Sequence, residues 1–160
     1  MSRDRVVLHR HDLLVEVDAS MSLQSVEHHL AAAGGLTLHV ALDAHGTSSV
    51  GDWLARGAPG ARSSFADPAD HLVAGLEGTL PDGSTLVVHP EPRRAVGPDL
   101  VALAVGAEGR FVRVTRAWLR VHEVEAPRPT LPLPELDLDP PISDGERALL
   151  EAIARELGAR

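Results

Sequence analysis

Cysteine, tyrosine and lysine are all missing from this 160-residue chain, so its 15 basic residues are all arginine. Without cysteine there is no disulfide framework and no thiolate chemistry. Without tyrosine no phenol can serve as a catalytic acid or base. Aromatics are scarce: Trp53, Phe65, Phe111 and Trp118 are the whole set, so the core has to be built from Leu, Val and Ala. No apolar run approaches the roughly 20 residues that cross a bilayer. The N-terminus, MSRDRVVLHRHD, is charged where a secretory leader would be apolar. The expected location is the cytoplasm. A formal net charge of −8 with no basic cluster excludes nucleic acid as the main partner, because phosphate contact needs concentrated positive charge.

What is present is ordinary for a soluble domain: 44% hydrophobic and 24% charged residues, in a length that fits one modest core. Residues 5–10 and 13–18 are short β-prone runs that read as a hairpin. In SMSLQSVEHHLAAAGG, Ser20 or Ser22 caps a helix, Leu23, Val26 and Leu30 recur on one face, and Gly34-Gly35 end it. A strand over 36–42 leads into the loop DAHGTSS. SVGDWLARGAPG then gives a short helix running into a Gly/Pro turn. Two apolar runs, 71–80 and 84–89, flank Asp82-Gly83, a hairpin signal. A short helix is expected over 98–105, with Pro98 in its first turn.

Residues 111–124 alternate as one long strand, with Phe111, Arg113, Thr115 and Ala117 against Val112, Val114, Arg116 and Trp118. Residues 127–142, PRPTLPLPELDLDPPI, are too proline-rich for a regular element and read as an extended arm. Ser143 and Glu146 then form a capping box for a final helix. Its stripe, Leu149, Leu150, Ile153 and Leu157, must dock on its own domain or on a partner. The expected organisation is a domain over 1–126, an arm over 127–142 and an amphipathic helix over 143–160.

This order of elements carries motifs as well. SSVGDWLARGAPG (48–60) stands where a Thr-Val-Gly-Gly turn, a small helix and a Gly-rich loop would stand. Phe65-Ala66 and Asp70 occupy the place of a Tyr-Gly pair and an Asp. Asp82-Gly83 follows, then GPDL (97–100) and GAEGRFVRVT (106–115), against Gly-Ser-Glu-Gly-Thr-Leu-Gly-Val-Ile-Thr. With this spacing the chain resembles part of the FAD-binding domain (PCMH type) of the vanillyl-alcohol-oxidase flavoprotein superfamily. The likeness is strongest to alkyl-dihydroxyacetone-phosphate synthase and the FAD-binding subunit of glycolate oxidase.

The resemblance implies an α+β fold, a mainly antiparallel sheet flanked by helices, forming the second lobe of a two-lobed FAD domain. It implies FAD as cofactor, with Ser48, Ser49, Gly51, Asp52, Arg56, Gly57, Ala58, Glu108, Gly109, Val112 and Val114 as the cofactor-contacting positions. Glycines serve such a site because only they let backbone N–H groups approach a diphosphate closely.

The chain also departs from that pattern. The expectation is that the chain lacks the family's pyrophosphate loop, since five residues precede Val6, and that a proline arm with one helix stands where a catalytic domain would follow. Asp52 replaces a glycine and sets a carboxylate where a diphosphate would lie. Val112 replaces another. Arg110, Arg113 or Arg62 would have to bind phosphate by side chain instead. Glu108 would accept from a ribose, or pair with Arg110.

Nine histidines raise the question of a metal site. His9 and His11 fall on one face of a strand, His28 and His29 point apart, and no zinc-type spacing exists. The grouping Ser49, His45 and Asp43 lacks a nucleophile elbow. Trp53 reads as a core anchor. The expectation is therefore no catalytic residue, no metal, and a protein that is non-catalytic alone. The alternative is the small subunit of a split FAD-dependent oxidoreductase completed by a flavoenzyme partner chain. A homodimer is the other possible partner state.

Overall fold

The N-terminal hairpin forms as its sequence demands: β1 (Val6–His9) runs antiparallel to β2 (Leu14–Asp18), with Val6 opposite Val17 and His9 opposite Leu14. A computed structural model describes residues 5–61, 72–90, 99–124 and 143–157. Arg62, Ser63, Ser64, Phe65, Ala66, Asp70, His71, Pro98 and the arm over 127–142 lie outside these residues.

Helix α1 (Leu23–Ala32) starts where Ser22 Oγ accepts the Ser25 N–H, and it buries Leu23, Val26 and Leu30. Each of those side chains contributes roughly 1.5–3 kcal/mol of burial before chain entropy opposes it. β3 (Leu36–Thr37), α2 (Leu42–His45) and α3 (Val50–Ala55) follow. The Asp82-Gly83 turn joins β4 (Val73–Thr79) to β5 (Thr85–Val88). A single 3-10 turn occupies Leu100–Leu103, capped by Asp99 Oδ1 on the Val101 N–H; it is shorter than the helix expected over 98–105. β6 (Arg113–Arg120), β7 (His122–Glu123) and α4 (Asp144–Glu156) complete the described chain.

The fold is α+β. Its main sheet has the order β1-β2-β6-β4-β5, antiparallel at every pairing, and β3 pairs with β7 in a second, two-stranded ribbon. Val15, Val17, Leu76, Ala117 and Leu119 from the sheet join α1 and Trp53 and Leu54 of α3 in one core. Trp53 is fully buried and its Nε1–H donates to the Pro59 carbonyl at 2.9 Å, so it is the anchor the sequence suggested.

Several sequence expectations need correction. The strand expected over 36–42 stops at Thr37. There the Glu27 carboxylate accepts the Leu38 N–H and the Thr37 hydroxyl, and His39 takes a φ of 56°, so the backbone turns away from an extended path. The loop after it contains α2.

The long strand over 111–124 is divided. β6 begins at Arg113, and after Val121 the chain changes partner from the main sheet to β3. Its alternation also slips. Glu77 faces Arg116 and Gly78 faces Val114, so Thr115 is an extra residue, and the buried set shifts from Val112 and Val114 to Ala117 and Leu119. His11 sits in the β1–β2 turn and does not share a strand face with His9.

On α4, Leu149 is 61% exposed; the docked face is Leu150, Ile153, Ala154 and Leu157, which pack against the core of this same chain. Ser143 begins the helix through its carbonyl, which accepts the Arg147 N–H; the Glu146 side chain lies outside the description.

Candidate functional site

Two serine-capped helix starts lie back to back. Ser22 and Ser49 form an isolated bridge: the Leu23 N–H donates to Ser48 and the Val50 N–H to Met21. Ser49 Oγ then caps α3 by accepting the Asp52 N–H at 3.1 Å. At its far end α3 closes in a Schellman turn. The Gly57 N–H reaches Leu54 O and the Ala58 N–H reaches Trp53 O, both at 2.9 Å, with Gly57 at φ 84°.

This turn supports the second motif. Gly106 N–H donates to Leu54 O, Glu108 N–H to Ala55 O at 2.7 Å, and Gly57 and Gly106 approach so closely that a Cβ on either would touch the other's Cα at 3.6–3.7 Å. Residues 107–110 form a tight turn, with the Arg110 N–H on Ala107 O and with Glu108 (φ 51°) and Gly109 (φ 73°) both left-handed, the type I′ pattern.

Between α3, this turn and the ends of β2 and β6 lies a cleft of about 540 Å³. Ser49, Gly51, Asp52, Glu108, Gly109, Val112 and Val114 line it, together with Asp18, Ala19, Ser20, Ala55, Arg113 and Thr115. So most of the positions singled out in the sequence converge. Ser48, Arg56, Gly57 and Ala58 stand outside the lining. Arg56 Nη2 donates to Ser48 Oγ at 2.8 Å, and Gly57 and Ala58 belong to the Schellman turn.

Sequence reasoning missed Ala55, at the end of α3, and also Asp18, Ala19, Ser20 and Thr115. The last four reach the cleft through tertiary pairing, as when the Ala19 N–H meets the Thr115 carbonyl at the β6 bulge.

The glycine and backbone geometry decides what the cleft can hold. A Cβ on Gly51 would sit 3.2 Å from Ala19 Cβ and 3.3 Å from Ala19 O, so this glycine lets α3 press against β2. The Val50 and Gly51 N–H groups donate to Met21 O and Ala19 O at 2.8 Å, Asp52 N–H to Ser49 Oγ, and Trp53 N–H to Ser49 O. The first turn of α3 therefore spends its donors inside the fold and offers no backbone cradle for a diphosphate. Val112 is 1% exposed and its side chain fills the space over Gly78.

Charge points the same way: Asp18, Asp52 and Glu108 line the cleft with one cation, Arg113. The volume and the hydroxyl and carboxylate acceptors suit the uncharged, hydroxyl-bearing part of a flavin; α3 does not suit its diphosphate.

The remaining sequence candidates have structural duties. The hydroxyl of Ser49 is a helix cap, and the ring of His45 packs over Gly60, where a Cβ would come within 2.9 Å of it; no Ser–His–Asp relay is assembled from them. Among the described residues no group of three or more His, Cys, Asp or Glu side chains is placed to hold a metal ion. Nor is any described helix long and apolar enough to cross a membrane.

A second titratable cluster lies at the β3–β7 ribbon. His39 and His122 stack with ring centroids 4.9 Å apart, and burial with help from Arg120 holds His122 below the usual imidazole range. Burial pushes the Glu27 carboxyl upward, against the pull of its backbone and hydroxyl donors.

Comparison with known proteins places this geometry. Solved structures of alkyldihydroxyacetonephosphate synthase in two crystal forms superpose with TM-scores of 0.63 and 0.61 at 24% identity. They cover 76% and 75% of this chain but only 21% and 22% of those chains, and at that identity they establish the fold. The uncharacterized FAD-linked oxidoreductase YgcU of Escherichia coli, from strains K12 and O157:H7, is 29% identical over 76 residues. That alignment takes in 48% of this chain and 16% of the relative, so the chain spans a small part of its curated relatives' length. Residues 2–89 match the FAD binding domain family, more than half of the chain, and the protein therefore belongs to that family, whose cofactor is FAD.

Proposed function

We propose that these residues form an FAD-binding-type lobe that is not catalytic by itself and that supplies one wall of a flavin cleft. The observation that carries this reading is the engagement of the α3 N–H groups within the fold, which leaves α3 without a backbone grip on the dinucleotide's diphosphate. The side chains of the cleft bind and orient. FAD, where bound, supplies the redox chemistry. The test is the visible absorption spectrum of the purified chain with and without added FAD. A colourless protein that retains no FAD through purification and binds added FAD only weakly, at about millimolar concentration, is the expected result; a yellow protein that retains stoichiometric FAD and turns over an electron donor alone would overturn the reading.

A second reading is favoured by the alignment, which covers 16% of the E. coli relative: the chain is the small part of a split FAD-dependent oxidoreductase, and another polypeptide carries the rest. In that case tight flavin binding appears only when a chain with the complementary lobe is co-expressed. A homodimer in which two copies close over each other's clefts is the remaining partner proposal, and light scattering at micromolar concentration separates it from a monomer.

A further inference from the structure

A second hollow adjoins the cleft across the 107–110 turn. Its volume is about 270 Å³, and it shares Gly109 and Arg113 with the cleft. Its charge is the opposite. Arg110 and Arg113 line it with Thr79, Leu80, Pro81 and Phe111, and no carboxylate is among its lining residues. The Arg110 guanidinium is positioned over the Phe111 ring, 5.7 Å from the centroid, while Phe111 itself is buried at 5% exposure and so gives the cation a fixed platform. The turn thus separates an acidic cleft from an arginine-lined hollow, with Gly109 leaving no side chain between them.

We infer that this hollow is a diphosphate site: Arg110 and Arg113 grip the phosphates of a dinucleotide by side chain, in place of a helix N-terminus. The inference rests on the flavin-wall reading above and relocates the ligand's charged part. Guanidinium groups form bidentate, charge-assisted hydrogen bonds to phosphate oxygens, and they need no glycine to do so. The acidic cleft repels a diphosphate, whereas the neighbouring hollow attracts it. A dinucleotide can answer both environments at once, with its hydroxyl-bearing chain against Asp52 and Glu108 and its phosphates beyond Gly109.

The test is titration of the isotopically labelled chain with inorganic pyrophosphate, ADP and riboflavin, followed by amide chemical shifts. Pyrophosphate and ADP should move the amides of Gly109, Arg110 and Arg113, and not those of Gly51 and Asp52. The double variant Arg110→Gln/Arg113→Gln should weaken both by about tenfold or more, and the single variant Arg110→Gln, outside the cleft lining, should leave riboflavin binding unchanged. Raised salt should weaken pyrophosphate binding in the parent chain. Both arginines are exposed, so a circular dichroism spectrum like the parent's shows that the variant still folds. Shifts centred on α3, or a double variant that binds pyrophosphate as well as the parent, would overturn the inference. If riboflavin binds and pyrophosphate does not, the diphosphate site fails while the flavin wall stands. If neither binds, both fail.

Discussion

A Cβ placed on Gly78 would lie 2.5 Å from Val112 Cγ1 and 2.9 Å from the Arg113 carbonyl oxygen. One residue has no side chain because the other, far along the chain, fills its space. Val112, where the resembled motif would have glycine, occupies the space that a side chain on residue 78 would need. Gly78→Ala should therefore destabilise the fold by about 1–3 kcal/mol through overpacking. Val112→Ala should cost roughly 1–3 kcal/mol by opening a cavity. The double variant should be more stable than the sum of the two losses predicts. The recovery should be partial, because the Arg113 carbonyl clash remains. Urea unfolding of the four proteins measures the coupling, and strict additivity within about 0.5 kcal/mol would show that the pair does not interact.

That pair also marks the boundary of what could be read from the letters. Ser22 as a cap, the turn at Asp82-Gly83, Trp53 as an anchor and the Gly34-Gly35 stop are local devices, each visible within one turn of chain, and each stands in the fold. The motif glycines and Glu108 were legible as a group because their spacing was familiar, and most of them do converge on one cleft. Other features are set by distant partners. Thr115 is an extra residue only against β4, the chain beyond Val121 leaves the main sheet only because β3 is there to pair with His122 and Glu123, and His39 turns only because Glu27 holds the loop. Leu149 was misplaced because a helical stripe fixes a face to within one residue position, and docking selected Ala154 instead.

The β3–β7 ribbon should make stability depend on pH. The folded environment holds the His122 ring below its ordinary value of 6.5, by burial first and Arg120 second. The unfolded chain therefore takes up the proton earlier, and stability falls as pH drops below 6.5. The stacked His39 adds a second imidazole beside the new charge. Glu27 works in the opposite direction. Burial raises it from 4.5, so the folded state holds its proton more readily and stability is regained further down the pH scale, as that carboxyl protonates. The urea midpoint should be lower near pH 5.5 than near pH 7.5, and His122→Gln should flatten the difference. An equal slope in the variant would assign the effect to another group.

Glu108 occupies the first left-handed position of a type I′ turn, where Asn is the favoured residue with a side chain. Holding a glutamate there costs on the order of 1 kcal/mol. If the residue were only part of a turn, Glu108→Asn would be an improvement without penalty. The expected outcome is a gain in stability of about 0.5–1 kcal/mol, coupled to weaker riboflavin binding, since the longer carboxylate reaches into the cleft. Thermal melts and fluorescence titration read the two effects separately. Stability gained with binding unchanged would remove Glu108 from the flavin wall.

Restoring the family glycines should not restore the cofactor. Asp52→Gly removes a carboxylate from the cleft, and in a wet site that relieves a repulsion of roughly 1 kcal/mol. It frees no donor, because the Asp52 N–H stays bound to Ser49 Oγ and the two before it stay bound to the Met21 and Ala19 carbonyls. Val112→Gly removes a side chain that both fills the space over Gly78 and lines the cleft, so it weakens the fold and adds room to the cleft but no hydrogen-bond donor. Against these small gains stand the hydrogen bonds to a charged diphosphate that this chain does not offer from α3, each worth roughly 1.5–3 kcal/mol. Asp52→Gly alone, and with Val112→Gly at a temperature where the double variant is folded, should show no micromolar FAD binding by titration calorimetry. Micromolar affinity without a partner chain would mean that the half-cleft was a competent site, blocked by two side chains.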